Sequence, residues 1–210
     1  AINYLYKKET RSSYQIEKEE PSPERIERFV TLLSNAGNIN VEELLSETSL
    51  TKLQNQIVDP RFAASGFRSY QNYIGQTTWN YEEIIHYVCP PPQFISALIH
   101  GLSVTSVKSN GVHPIIRAAA VAFGFVFIHP FEDGNGRIHR FLIHDILSRD
   151  NFMPAGMIIP VSAHMLNNMK AYDDALEAYS KPLLTLIRYS KNEKQEKVLL
   201  KDIKDILAHF

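Results

Sequence analysis

Cysteine is nearly absent from this sequence: Cys89 is the only one in 210 residues. An internal disulfide is therefore impossible and a cysteine-based zinc site is excluded, a usage that fits a reducing, cytoplasmic setting. An excess of one charge is lacking too. Lys and Arg total 22 against 23 Asp and Glu, a net charge of −1, so no basic surplus points to nucleic acid. Long hydrophobic runs are missing: the longest, Ala118 to Ile128, falls short of the ~18–20 residues that a membrane span needs. No charged and then apolar leader opens the chain, so no signal peptide is recognisable. The first residue is Ala1 rather than Met, and Ile2-Asn3-Tyr4-Leu5 already reads as packed structure. That combination suggests a fragment of something longer.

What is present is ordinary globular composition, 44% hydrophobic and 21% charged. A chain of this length removes ~70% of its unfolded surface from water, enough for a core without staples. Helix signals dominate. Ser22-Pro23 offers an N-cap with proline at the first helical position, and Ile26, Phe29, Val30 and Leu33 recur at helical spacing. Asn40-Val41-Glu42-Glu43 resembles a capping box, with Ile39 and Leu44 placed to staple it. Another helix covers Leu50 to Val58, ended by Asp59-Pro60. Phe94, Ala97, Leu98 and Leu102 suggest a further one. His113-Pro114 opens an apolar helix from Ile115 to Ile128 whose only charge is Arg117, a pattern that belongs in the middle of a bundle. Leu142, Ile143 and Ile146 mark the next helix, Met165 and Leu176 another. Leu199, Ile203, Ile206 and Phe210 mark a last amphipathic one, its Lys-rich face solvated.

Residues 67–92 break this rhythm. Phe67 to Gly75 and Ile85 to Val88 are β-rich and flank a polar connection, and Pro90-Pro91-Pro92 stops the second run. A short hairpin resting against the bundle is the reading; an irregular surface loop is the alternative. No repeat or linker divides the chain, so residues 1–210 are expected to form one mostly α domain with a β-hairpin.

The apolar helix runs straight into His129-Pro130-Phe131-Glu132-Asp133-Gly134-Asn135-Gly136-Arg137-Ile138-His139-Arg140. The glycines allow positive φ and close backbone approach, so successive N–H groups can converge on an anion. The N-terminus of the following helix adds its dipole to that pull. Arg137 and Arg140 are three apart, on one helix face. Asp133 at the loop rim suits Mg²⁺ held against phosphate oxygens. His129 is the side chain suited to take a proton near neutral pH. Together these features describe attack on a polyphosphate.

The same stretch resembles the signature of the Fic family, His-x-Phe-x-Asp/Glu-Gly-Asn-Gly closing with Arg-x-x-Arg. His129, Phe131, Asp133, Gly134, Asn135, Gly136, Arg137 and Arg140 meet every position. Residues 67–92 resemble the family's flap, and Pro160 to Ala163 with Tyr172 to Glu177 resemble the downstream part of bacterial members. The resemblance implies a helical Fic fold and transfer of AMP from ATP to a hydroxyl of a target protein. It implies that His129 is the base and that Asp133 holds Mg²⁺. Gly134, Asn135 and Gly136 would then cradle the phosphates through backbone and side-chain N–H groups. Arg137 would bind the outer phosphates, Arg140 the γ-phosphate, and buried Phe131 would shape the loop. It also implies that the flap binds the target by β-augmentation, and it allows a homodimer. Neither a membrane nor nucleic acid enters as a partner.

Relatives carry an inhibitory helix, Ser/Thr-x-x-x-Glu-Gly/Asn. Residues 10–20 resemble it through Ser13 and Glu17, but Lys18 replaces the glycine or asparagine and favours one more helical turn before Pro21. By the same resemblance Tyr172 and Asn168 would line the adenine pocket, although Tyr172 also reads as a core tyrosine. Tyr70, Tyr73 and Tyr87 either stack with a target or pack the hairpin. His139 and His144, five apart, fit helical zinc ligands poorly, and His144 reads as a packed surface histidine. Two other functions remain open: transfer of a phosphoryl or phosphocholine group at the same site, against which Gly136 argues, and a non-catalytic nucleotide sensor, against which His129 argues.

Overall fold

A computed structural model describes residues 2–154, 156–192 and 197–200. The elements in chain order are α1 (Ile2–Ile16), α2 (Pro23–Ser34), α3 (Val41–Leu44), α4 (Glu47–Ile57), β1 (Tyr73–Thr77), β2 (Glu83–Val88), α5 (Ile95–Lys108), α6 (Pro114–Ile128), α7 (Asn135–Arg149), α8 (Val161–Asn167), α9 (Met169–Leu186), β3 (Tyr189–Asn192) and β4 (Lys197–Leu200). The fold is mainly helical with a short hairpin. No helix among the described residues is long and apolar enough to cross a membrane.

The helix starts follow local chemistry. Ser22 Oγ accepts from the Arg25 N–H ahead of α2, and Asn40 and Ser46 cap α3 and α4 in the same way. The core lies where α6 and α7 pack. Phe125, Phe131, Ile138, Leu142 and Ile146 are buried together with Phe29, Leu50, Ile57 and, from α1, Tyr14. Each such side chain contributes ~1.5–3 kcal/mol through the water it sheds.

α6 is not enclosed along its whole length, as its sequence suggested. Ile115, Ile116, Ala119 and Ala120 are exposed, Arg117 and Ala118 are buried, and only from Val121 onward is every residue of the helix buried or half-buried. Arg117 is buried because it donates twice to the Ser106 carbonyl and pairs with Asp150.

The expected hairpin is present, with antiparallel pairing of β1 and β2. Its first strand begins at Tyr73 rather than Phe67, because the preceding residues are tied to the α6–α7 loop, where the Arg68 N–H donates to the Pro130 carbonyl. Ile74 faces Tyr87 and Gly75 faces Ile85, so His86 is an extra, bulged residue. Tyr87 packs the hairpin down: its ring meets Phe127 and Tyr179, and its hydroxyl donates to the Phe127 carbonyl at 2.7 Å. Tyr73 bonds Glu83, and Tyr70 is exposed.

The tail departs from the expected amphipathic helix. Residues 197–200 pair with β3 instead, and Tyr189 and Leu200 pack on the Tyr87, Leu183 and Ile187 cluster. The cluster rewards a strand that lays Leu200 across it. Ile203, Ile206 and Phe210 lie outside the described residues.

Candidate active site

α6 ends in a reversal. His129 takes the left-handed conformation, φ 52°, which turns the chain into the loop. Its Nδ1 lies 3.1 Å from the Val126 carbonyl. A carbonyl only accepts, so Nδ1 carries the proton there and Nε2 keeps its lone pair. Desolvation above all, with the nearby Arg68 charge, pushes the His129 pKa down to about 4, although the Val126 bond, Glu17 and Asp133 oppose this. The imidazole is therefore neutral at neutral pH, the form that a base needs.

The loop is braced from within and below. The Asn135 amide accepts from the Phe131 N–H at 3.0 Å and donates to the Phe131 carbonyl at 2.8 Å. This qualifies one expectation: the Asn135 amide oxygen and one of its two N–H donors are committed to the loop, so the backbone N–H groups are the main donors left here for an anion. Phe131 is buried, edge-on to Phe67. Gln54, on the apolar face of α4, donates to the Asp133 carbonyl at 3.1 Å. Gly134 has φ 94°, and a Cβ there would meet Val58 at 2.8 Å, so no other residue fits without displacement. Asp133 Oδ1 accepts from the Gly134 N–H and from Arg137.

From the first turns of α7, Arg137 and Arg140 project side by side, each 1% exposed. Arg137 pairs with Asp133 and Glu19. Arg140 donates to Ser13 Oγ and the Ser13 carbonyl, both at 2.9 Å, and to Glu17 at 2.7 Å. Arg137 Nε and Arg140 Nη1 are buried without a hydrogen-bond partner among the described residues. Buried donors of this kind are costly unless something completes them, and an anion at the α7 N-terminus would do so.

The N-terminal segment closes the site from above. α1 stops at Ile16, and Lys18 takes φ 56° where one more turn was expected. The Lys18 N–H donates to the Gln15 carbonyl and the Glu19 N–H to the Tyr14 carbonyl, the two bonds of a Schellman cap. A lysine thus does what a glycine would do more cheaply, because Tyr14 fixes the turn. Tyr14 is fully buried between the guanidinium groups of Arg25 and Arg137, and its hydroxyl donates to the Ile57 carbonyl at 2.6 Å. With the turn held so, Glu17 reaches Arg140 while Glu19 bridges Arg137 and Arg25.

Farther up α1, Glu9 corrects the reading of His144. That histidine is buried, with Nε2 2.8 Å from Glu9 Oε1, and Glu9 also accepts from the Ser162 and Ala163 N–H groups at the start of α8. Burial would raise the Glu9 pKa, but the bonds from His144 and Ser162 outweigh it and hold it below the usual carboxylate range.

The structure brings Ser13, Glu17, His129, Asp133, Gly136, Arg137 and Arg140 to one place. Tyr172 arrives differently. It stacks on the buried His139 ring beside Arg140, and burial raises its pKa. It does not line the cavity of about 460 Å³ between the hairpin, the end of α6 and α9, whose walls include Ile74, His86, Phe127, Asp173, Leu176 and Glu177. Asn168 is exposed and bonds the His164 carbonyl. Sequence reasoning missed Glu19, Arg25, Gln54 and Arg68. Arg25 and Gln54 left a trace, as polar residues within otherwise apolar helical stripes; Glu19 and Arg68 left none.

Residues 44–147 match a family model described as Fic/DOC family. The chain belongs to the Fic/DOC family. This Fic chain is 35% identical over 105 residues to the Protein adenylyltransferase Fic of Drosophila grimshawi, covering 49% of this chain and 19% of that protein. It is 29% identical over 125 residues to the Protein adenylyltransferase Fic of Aedes aegypti, covering 57% and 23%. The chain thus spans about a fifth of the length of the curated relatives it matches. Two solved structures share its fold. A Fic family protein from Desulfovibrio desulfuricans G20 superposes with a TM-score of 0.64 at 19% identity, over 84% of this chain and 57% of that one. A Fic domain containing signaling protein from Bacteroides thetaiotaomicron VPI-5482 gives 0.58 at 20% identity, over 82% and 72%.

Proposed function

We propose that this Fic chain transfers AMP from ATP to a hydroxyl side chain of a target protein, as the names of its curated relatives suggest. His129 Nε2 takes the proton of the target hydroxyl. The oxygen attacks the α-phosphate, the bond to the bridging oxygen breaks, and pyrophosphate leaves. Arg137 and Arg140 hold the outer phosphates, and the first N–H groups of α7 hold the inner ones. The observation that carries this reading is the pair of unpartnered buried donors, Arg137 Nε and Arg140 Nη1, set beside a neutral histidine.

The residues fit a magnesium ion as well. Asp133 Oδ1 is occupied by Gly134 and Arg137, which leaves Oδ2 on a side chain 36% exposed. Magnesium is usually held by one or two carboxylates with phosphate oxygens and water, and bound there it would neutralise charge building on the phosphates.

The hairpin presents the target: among the described residues β1 pairs with β2 alone, which leaves its other edge for an added strand. In the closed arrangement Glu17 and Glu19 occupy the arginines that the outer phosphates need, so the N-terminal segment inhibits transfer.

The test is incubation of the chain with a cell lysate and ATP labelled at either the α- or the γ-phosphate, with Glu17→Gly and His129→Ala variants alongside. Label from the α position that depends on His129 supports AMP transfer. Label from the γ position would make the site a phosphoryl transferase instead.

A further inference from the structure

Arg68 is 7% exposed, yet it makes no ion pair with an acidic side chain among the described residues. A guanidinium so buried is costly unless its donors are met. Here they are met by backbone carbonyls alone. Nε donates to His129 at 2.8 Å, Nη1 to Tyr70 at 2.8 Å, and Nη2 to Pro90 at 2.7 Å and to Ile128 at 3.5 Å. Its own N–H donates to the Pro130 carbonyl at 2.9 Å.

These acceptors come from three segments. Ile128, His129 and Pro130 form the end of α6 and its left-handed turn; Tyr70 lies on the way into β1; Pro90 lies just after β2. The rigid, planar fork of arginine can serve three such directions at once, which lysine with its single charged point cannot. The carbonyls at a helix C-terminus also carry the negative end of its dipole, so a cation suits this place. Both roots of the hairpin and the backbone of His129 are thereby fastened to one side chain.

We infer that Arg68 is a positioning residue for the transfer reaction: it fixes the His129 backbone and the roots of the hairpin in one frame, so that the imidazole meets the hydroxyl the hairpin presents. The inference rests on the reading of His129 as the base. It leaves the phosphate-holding side chains alone, because among the described residues every hydrogen bond of Arg68 goes to Tyr70, Pro90, Ile128, His129 or Pro130 and none to Arg137, Arg140 or the start of α7. Misplacing a reacting group by about 1 Å can cost 10²-fold in rate, whereas nucleotide binding would not register it.

The experiment uses the chain carrying Glu17→Gly, with Arg68→Met, Arg68→Lys and His129→Ala each added. Transfer from α-labelled ATP gives kcat, and equilibrium titration with ATP gives Kd. Arg68→Met should lower kcat by at least about tenfold while Kd for ATP stays within about twofold. Arg68→Lys, which keeps the charge and part of the bonding, should recover part of the loss. Unchanged kcat in Arg68→Met, or equal losses of kcat and ATP affinity, would overturn the inference. If Arg68→Met fails to fold, Arg68→Lys decides alone: full kcat refutes the positioning role, and reduced kcat at unchanged Kd supports it. Undiminished transfer by His129→Ala would instead refute the base, whatever the Arg68 variants do.

Discussion

Glu17 Oε1 lies 2.7 Å from Arg140 Nη2 and fills the space in which a Cβ on Gly136 would stand. The glycine is therefore not explained by its backbone, which is helical without positive φ. It is explained by an oxygen that must pass close over the first turn of α7. In the closed chain that oxygen belongs to a carboxylate, and under the proposed function a phosphate would take its place.

A carboxylate and a γ-phosphate about 4 Å apart repel by ~4 kcal/mol at an effective dielectric near 20. Glu17→Gly should accordingly raise labelling from α-labelled ATP at least tenfold over wild type. Gly136→Ala should lower thermal stability by ~1–3 kcal/mol when Glu17 is present, as overpacking does, and by much less in a Glu17→Gly chain. Equal losses in both backgrounds would mean that Glu17 does not rest on Gly136.

Glu19 holds Arg137 and Arg25 at once, so it should act as a second acid in the closed site. Adding Glu19→Gln to Glu17→Gly is expected to tighten ATP binding by a further ~3–10-fold, on the order of 1 kcal/mol. The same double variant should leave AMP binding unchanged, because Arg137 is assigned to the outer phosphates. Titration of both nucleotides reads the difference.

Lys18 occupies a left-handed position that costs a non-glycine residue ~1–2 kcal/mol. Lys18→Gly should raise Tm by ~2–8 °C and make the closed arrangement more persistent. Labelling by the otherwise wild-type chain should then fall rather than rise. A rise would show that Lys18 itself supports closure.

The pH dependence follows from His129 and His139, both pushed down to about 4, chiefly by desolvation. As a base, His129 must be neutral, so initial rates of a Glu17→Gly chain should stay level from pH 8 to about 5.5, without an acid limb near 6.5. Stability follows the same sign. The unfolded histidines bind protons from about pH 6.5 downward and the folded ones do not, so the contribution is complete above 6.5 and is lost as pH falls toward 4. A rate profile centred at 6.5 would mean that the imidazole is solvated while it works.

Glu9 and His144 anchor α1, both buried. Taking one partner from a buried hydrogen bond costs ~1–3 kcal/mol, the upper end where the group left behind is charged. His144→Leu leaves Glu9 without its side-chain partner and should lower the free energy of unfolding, read from denaturant titration, by that amount. It should also raise basal labelling, since the segment carrying Glu17 and Glu19 is then held less firmly. Lost stability with no gain in labelling would separate the anchor from the closure.

The sequence by itself determined part of the loop from His129 to Arg140, the part whose causes are local, whereas Gln54, Val58, Arg68 and Glu17 brace it from elsewhere in the chain. Positive φ is cheap for glycine, as at Gly134, and a three-residue interval puts two arginines on one helix face; that Asn135 braces Phe131 was seen only in the structure. It also determined the helix starts at Ser22 and Asn40, where a side chain caps its own next turn; the cap at Ser46 was missed, and that helix was expected to begin at Leu50. The Glu17–Arg140 contact was legible only through the Ser13–Glu17 spacing seen in relatives. Tertiary structure decided the rest. Glu19 meets Arg137 across 118 positions and Arg68 meets His129 across 61, contacts that no periodicity announces. Lys18 keeps a conformation its own chemistry disfavours because buried Tyr14 fixes the turn from outside, and residues 197–200 form a strand because Tyr189 and the Tyr87 cluster offer a surface to cover. A buried charge takes whichever partner the packing brings within hydrogen-bonding distance, and that choice depends on how the helices dock, not on the residues beside it in the chain.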